Sequence, residues 1–130
     1  MNVRKTVTAV LGALALSAAA LLPQATLAAT PEVAAREINH LLEHVGSSGC
    51  EFYRNGIWYK GNLGEVHLRD KYDWLSLRNM IEVTGDFIDK GATQSSMTGL
   101  EYKVRCPGRE TVTSRQWLNE ELQRYRASAH

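Results

Sequence analysis

The sequence contains little cysteine and no excess of either charge. Its 130 residues include 2 cysteines, and 15 basic against 14 acidic side chains give a formal net charge of +1. A near-neutral chain without a basic run lacks the electrostatic footprint of nucleic-acid binding and the polybasic patch of a membrane-surface protein. We therefore expect no nucleic-acid partner. The sequence also contains no motif for a cofactor, and we predict none.

The amino terminus has the pattern of a secretory signal peptide. Arg4 and Lys5 precede an uncharged, Ala-rich apolar run over residues 7–22. Small residues at the −3 and −1 positions then predict cleavage after Ala28. The apolar run is shorter than the roughly 20 residues that span a bilayer. We expect cleavage and no membrane anchor after it.

Cleavage would divide the chain into a signal peptide over residues 1–28 and a periplasmic part over residues 29–130. That length can bury one core but not two, which predicts a single domain. Its cysteines, Cys50 and Cys106, lie far apart and not in a C-x-x-C pair, so an exported chain favours a structural disulfide over a redox role. Closing so long a loop stabilises the fold by about 4 kcal/mol.

Apolar residues at spacings of three and four predict four helices with buried stripes. The predicted N-caps are Thr30, Asn62, Thr84 and Thr113, and Glu65 and Gln116 complete capping boxes in the second and fourth helices. The inward residues are Ala34, Ile38, Leu41, Leu42 and Val45, then Leu68, Tyr72 and Leu75, then Phe87 and Ile88, then Trp117, Leu118, Leu122 and Tyr125.

A β-hairpin is predicted between the first two helices, because Asn55-Gly56 separates two segments of strand composition, 50–54 and 57–60. Residues 101–106 alternate apolar and polar side chains, as a strand with one buried face does. The predicted fold is α+β: a small three-stranded antiparallel sheet, formed by the hairpin plus one later strand, packed with about four helices and closed by one disulfide.

The disulfide also predicts the strand register. If Cys50 and Cys106 are joined, their strands are antiparallel neighbours and Phe52 lies opposite Val104. The two-residue hairpin likewise places Phe52 opposite Tyr59. The residues predicted to share the core face are Cys50, Phe52, Ile57, Tyr59, Tyr102, Val104 and Cys106.

Tyr53 and Trp58 would then form an aromatic pair on the outer face of the sheet. Such a pair could be a stacking platform for a sugar or an anchor for a protein partner. The alternative is that a helix covers both residues as ordinary core.

A second candidate group is polar. His67 and Lys71 lie one turn apart on the second helix, Arg54 lies on the hairpin, and Ser95 and Ser96 lie in the loop before the third strand. The group could hold an anion or activate a hydroxyl, but neither Ser95 nor Ser96 fits G-x-S-x-G or S-x-x-K. The alternatives are that His67 and Ser96 satisfy backbone groups, and that Arg54 makes a structural contact beside Tyr102, either a cation–π contact or a carbonyl cap.

His40 and His44, with Glu43 between them, fit the H-x-x-E-H pattern of inverted zinc peptidases. On a helix both imidazoles lie away from the apolar stripe, so we expect them to face solvent. We therefore predict no metal site.

Several short segments together resemble the YfeK-like family of small exported Gram-negative proteins of unknown function. They are Ser48-Gly49-Cys50, Arg54-Asn55-Gly56, His67-Leu68, Lys71-Tyr72, Phe87-Ile88, Ser95-Ser96-Met97, Tyr102, Val104-Arg105-Cys106 and Trp117-Leu118. The resemblance spans nearly the whole mature chain. It implies a periplasmic setting and implies no activity.

Two classes of function follow as hypotheses, and a third option is that the protein only stabilises an envelope complex. The first is a binding or interaction module of the cell envelope, whose partner is an unknown envelope component or protein. The second is a small hydrolase or transferase acting on envelope material, with Ser96 or His67 as the reacting group. An enzyme should bring Ser96 Oγ and a His67 nitrogen together in an open cleft.

Overall fold

A computed structural model describes residues 4, 6–23 and 30–128 of the chain. The predicted cleavage site at Ala28 lies outside the described residues. Residues 6–23 form neither helix nor strand, and their apolar side chains, such as Leu14, are exposed. Within the described ranges, no helix is both long enough and apolar enough to cross a membrane.

The described chain forms four helices and four strands. In chain order they are α1 (Glu32–Ser47), β1 (Glu51–Arg54), β2 (Ile57–Lys60), α2 (Gly61–Leu77), α3 (Thr84–Gly91), β3 (Lys103–Arg105), β4 (Val112–Thr113) and α4 (Ser114–Ser128).

The sheet has four strands, so the prediction of three was wrong. Its order is β2-β1-β3-β4, with every pair antiparallel. The additional strand, β4, places Val112 opposite Val104. A strand of two residues is too short to show alternation, and Thr113 was interpreted only as a helix cap. The turn dipeptide Pro107-Gly108 before a β-branched run was the available signal.

The predicted hairpin and register are confirmed. Phe52 lies opposite both Tyr59 and Val104, between the two neighbouring strands. The turn residues Asn55 and Gly56 have φ values of 49° and 86°, as a type I′ turn requires. A disulfide joins Cys50 to Cys106, which confirms the predicted pairing.

The helices pack on one face of the sheet, with α1 in contact with the other three helices. The predicted apolar stripes are buried apart from Tyr72 and Tyr125, which are half-buried, and every described core residue lies between Ala34 and Leu122. A chain that begins at residue 29 therefore retains the whole core. Ile57 is an exception to the predicted core face: it is 56% exposed, because it follows the turn on an edge strand where only β1 flanks it.

Three of the four predicted N-caps were wrong. The N-cap residues of α1, α2 and α3 are Pro31, Lys60 and Val83. Only Thr113 caps as predicted, since its Oγ1 accepts the Gln116 N–H at 3.1 Å. Tertiary partners compete for the other hydroxyls: Thr30 bonds Ser76, and Thr84 bonds Glu37. A sequence pattern cannot register such distant partners.

Gly61 marks a close approach of the α2 backbone to the α1 backbone. A Cβ built on Gly61 would lie 2.5 Å from the carbonyl oxygen of Val45. Real Cβ atoms do not approach that closely, so the position requires glycine. This contact holds α2 against α1 and thereby sets where the side chains of α2 meet the sheet.

Candidate functional site

Two clefts open on either side of one group of side chains. The β2–α2 cleft has a volume of about 270 Å³ and the α2–loop cleft one of about 440 Å³. Both are lined by Arg54, His67, Asp70 and Tyr102, which we call the shared group. The combined space is typical of small-molecule sites.

Three elements bring the shared group and Lys71 together. Arg54 ends β1, and Tyr102 directly precedes β3 on the neighbouring strand. His67, Asp70 and Lys71 lie on α2 at spacings of three and four, so they occupy one face of the helix. The sequence predicted the proximity of Arg54 to Tyr102 and the shared face of His67 and Lys71.

Tyr102 connects His67 and Lys71 of α2. His67 Nε2 lies 3.0 Å from the Tyr102 hydroxyl, and Lys71 Nζ donates to the same oxygen at 3.3 Å. Lys71 Nζ also donates to the carbonyl oxygen of Gln94 at 3.1 Å. Because an ammonium can only donate, the Tyr102 hydroxyl accepts from Lys71 and is free to donate to a neutral His67 imidazole.

The cations of the site have no ion pair within the described residues. Neither Arg54 nor Lys71 lies within salt-bridge distance of a carboxylate in that part of the chain. Arg54 Nε is buried and has no hydrogen-bond partner among the described residues. A buried donor left unsatisfied costs about 1–3 kcal/mol. Such a donor is unusual in a folded protein, and it is available to an acceptor that enters the cleft.

Burial and positive charge both oppose further protonation of the site. Burial lowers the pKa of His67, and the charges of Arg54 and Lys71 lower it further, with Asp70 opposing. Burial and then the Arg54 charge also lower the pKa of Lys71. Burial raises the pKa of Tyr102, although the Arg54 charge opposes. The site therefore favours a neutral His67, and a negatively charged ligand would be stabilised there by the neighbouring cations.

Ser96 lies at the rim of the α2–loop cleft and is exposed. No hydrogen bond joins its Oγ to His67 among the described residues, and His67 Nε2 is engaged by Tyr102. The neighbouring Ser95 is buried, and its Oγ accepts the N–H groups of Met97 and Thr98 at 3.3 and 3.4 Å. The backbone-satisfying role predicted for Ser96 is thus filled by Ser95.

Sequence reasoning missed two features of this site. Asp70 lines both clefts, and its position three residues after His67 on the same helix face was the signal for it. Tyr102 was assigned to the core and to a contact with Arg54, and its ring is indeed buried, but its hydroxyl also bonds His67 and Lys71. The cation over the Tyr102 ring is Lys71, 5.1 Å from the centroid, and not Arg54 as suggested.

Tyr53 and Trp58 pair as the register predicted, with ring centroids 5.3 Å apart. Both are half-buried, and cations lie over the rings. The Arg105 guanidinium lies 4.1 Å from the Trp58 centroid, and Lys103 Nζ lies 5.4 Å from that of Tyr53. These residues form a second surface on the outer face of the sheet.

The prediction that His40 and His44 face solvent was wrong. They are half-buried between α1 and α4, where Tyr125 stacks on His40 and Trp117 stacks on His44. The carboxylate of Glu121 lies 2.9 Å from His40 Nε2 and 3.4 Å from His44 Nε2. Sequence spacing within α1 could not show that α4 covers this side. The described part of the chain contains no group of three ligands arranged to hold a metal ion.

Comparison with known families gives a match over most of the chain. The model of a family of unknown function, DUF5329, matches residues 32–126. This range contains both clefts and the disulfide. No curated protein and no solved structure matches the chain.

Proposed function

The chain belongs to the DUF5329 family, whose function is unknown, and from its geometry we propose that it is an exported binding module for a small anionic ligand. Arg54, His67 and Lys71 hold the ligand. The observation that carries this proposal is the buried Nε of Arg54, which has no hydrogen-bond partner in the described chain. A carboxylate or phosphate oxygen would satisfy it.

The balance of charge supports an anion. Arg54 and Lys71 are cationic, and burial keeps His67 neutral by lowering its pKa. Among the described residues, Asp70 is the one carboxylate that lines either cleft. A guanidinium binds carboxylate and phosphate oxygens through charge-assisted hydrogen bonds. A cationic ligand would instead meet Arg54 and Lys71 without compensation.

Export to the periplasm belongs to the same proposal. Its support is the signal-peptide pattern of residues 1–28, the resemblance to YfeK-like proteins and a disulfide of the kind that persists in oxidising compartments. We place the protein in a Gram-negative cell envelope, where its ligand or partner is an envelope component. An enzymatic role receives less support, because no base lies within hydrogen-bond distance of Ser96 Oγ in the described residues.

Titration with simple anions tests the binding proposal. A ¹⁵N-labelled chain starting at Ala29 is titrated with sodium acetate and with sodium phosphate at constant ionic strength. We expect saturable NMR shifts of the Arg54 side-chain N–H and of amides around Lys71, with dissociation constants in the millimolar range. Loss of one charge-assisted contact in Arg54→Met should weaken binding about tenfold or more.

The matched control is Arg109→Met, which removes a guanidinium from an exposed turn position. It should bind acetate and phosphate like the parent. The proposal fails if neither anion gives a saturable shift, or if Arg54→Met and Arg109→Met titrate alike.

A further inference from the structure

The two ends of the β2–α2 cleft differ in chemistry. Its walls are mostly apolar: Phe52, Tyr59, Leu63, Val66 and Leu68. Its charged residues are Arg54 and Asp70, and Arg54 carries the unsatisfied buried donor. An inorganic anion would use only the charged end and leave the apolar walls in contact with water.

The apolar walls are built to stay open. Leu63 and Val66 are 54% and 58% exposed on the α2 side of the cleft, although each belongs to a stable helix. Between them Gly64 contributes no side chain, and a Cβ there would lie 3.3 Å from the Phe52 ring. The glycine therefore leaves the inner wall of the cleft to the face of Phe52.

The charges limit how many negative charges a ligand can carry. Around the shared group Arg54 supplies one positive charge and Asp70 one negative charge, while Lys71 adds a second positive charge from the α2–loop side, where its Nζ bonds the Tyr102 hydroxyl. His67 is neutral because burial lowers its pKa. One negative charge neutralises this set. A dianion would add repulsion with Asp70, so a carboxylate fits better than a phosphate monoester.

We propose that the ligand is an amphipathic monocarboxylate, with its head at Arg54 and its apolar tail along Phe52, Leu63 and Val66 in the β2–α2 cleft. This inference rests on the proposed anion-binding function and adds the class of ligand. The tail removes apolar surface of both partners from water, which a head group alone cannot do. Each fully buried methylene group contributes about 0.8 kcal/mol, which is about fourfold in affinity, and partial burial reduces this factor toward twofold.

A chain-length series tests the inference. The dissociation constants of acetate, butanoate, hexanoate, octanoate and decanoate are measured below their aggregation concentrations with the chain starting at Ala29. We expect each added methylene to tighten binding about two- to fourfold until the cleft is filled, after which the affinity levels off. Octanol should bind at least about tenfold more weakly than octanoate, and octylammonium should not compete with octanoate for the cleft.

Variants of the wall separate the tail from the head. Leu63→Ser combined with Val66→Ser should weaken octanoate about tenfold and leave acetate unchanged. Leu77→Ser, at an 81% exposed position on the same helix and outside both clefts, is the matched control and should bind octanoate like the parent.

The outcomes distinguish this inference from the proposed function. Saturable acetate binding with a flat chain-length series would refute the amphipathic ligand and leave the anion site intact. Absence of binding for every carboxylate would refute both. Equal affinity for octanol and octanoate would show a purely apolar cleft, which also contradicts both.

Discussion

Two groups of charged side chains differ in whether their charges find partners inside the chain. Between α1, α3 and α4, Glu37 is only 6% exposed, yet Arg126 donates to both of its oxygens at 2.6 and 2.9 Å. Thr84 donates a third hydrogen bond at 2.6 Å. At the clefts, Arg54 and Lys71 have no carboxylate in salt-bridge distance within the described residues.

The same contrast holds at Glu121, the second buried carboxylate. Burial alone would raise its pKa, but hydrogen bonds from His40 and Arg124 outweigh burial and lower it. For Glu37 the hydrogen bond from Arg126 is the largest influence, and its pKa is likewise lowered. Both carboxylates are therefore held ionised by neighbours that the fold itself provides.

The difference indicates two roles. A buried charge whose hydrogen bonds are all made stabilises one packing arrangement and has nothing left for a ligand. A cation with an unmade bond lowers the stability of the free protein and gains free energy when an anion arrives. We therefore expect substitutions in the first group to change stability, and substitutions in the second to change binding.

The largest effect should come from Glu37→Ala. It removes the partner of both Thr84 and Arg126, and we expect the free energy of unfolding to fall by about 2–3 kcal/mol, less than for a fully buried pair because Arg126 is half exposed. Urea unfolding of the chain starting at Ala29 measures this. The control is Glu32→Ala, whose carboxylate is 86% exposed and pairs with Arg36, and it should change stability by less than about 0.5 kcal/mol.

The two groups of charged residues should also differ in their effect on ligand binding. Acetate affinity at Arg54 should be unchanged in Glu37→Ala at a temperature where the variant is folded. A Glu37→Ala protein as stable as the parent, or one that loses acetate binding while folded, would contradict the separation of roles.

Local signals predicted much of the fold. The hairpin, its register and the helical stripes follow from turn residues and spacing, which depend only on near neighbours. The caps at Thr30 and Thr84 and the environment of His40 depended on distant helices, and their predictions were wrong. The strand β4 was missed because two residues carry no periodicity.

The candidate site was likewise predicted only as far as local signals reach. Spacing along α2 gave His67 and Lys71, and the predicted register placed Arg54 near Tyr102. The hydrogen bond from His67 to Tyr102 and the missing partner of Arg54 depend on how α2 lies across the sheet. That placement depends in turn on contacts such as Gly61 against α1, which no pattern within a single element specifies.

A smaller effect on the free energy of unfolding is expected from a change of pH. Burial, then the charges of Arg54 and Lys71, lower the pKa of His67 below its ordinary 6.5. As the pH falls below about 6.5 the unfolded chain takes up a proton that the folded chain resists, so the free energy of unfolding decreases. The limit is about 1.4 kcal/mol per pH unit for one proton, and solvent near the half-buried ring reduces it.

Urea unfolding at pH 7.5 and 5.5 measures the effect, and His67→Gln should shrink it. Part of the decrease should remain, because burial also lowers the pKa of His44 despite the opposing charge of Glu121. Saturating acetate should reduce the decrease in the parent and not in His67→Gln, since an anion at Arg54 favours a protonated His67. An identical pH dependence in the parent and His67→Gln would contradict this assignment.

The smallest effect is expected at Ser96. Its hydroxyl is exposed and makes no hydrogen bond to His67 within the described chain. Ser96→Ala should therefore change the free energy of unfolding by less than about 0.5 kcal/mol and leave the acetate affinity unchanged. Ser95→Ala is the matched comparison, because it removes the acceptor of the Met97 and Thr98 amides and should cost about 1 kcal/mol. Hydrolysis of p-nitrophenyl acetate provides the decisive readout. If the parent turns over this ester and Ser96→Ala does not, the Ser96 hydroxyl is a nucleophile. The α2–loop cleft would then contain a catalytic residue, and the comparison of a structural group with a ligand-binding group would be incomplete.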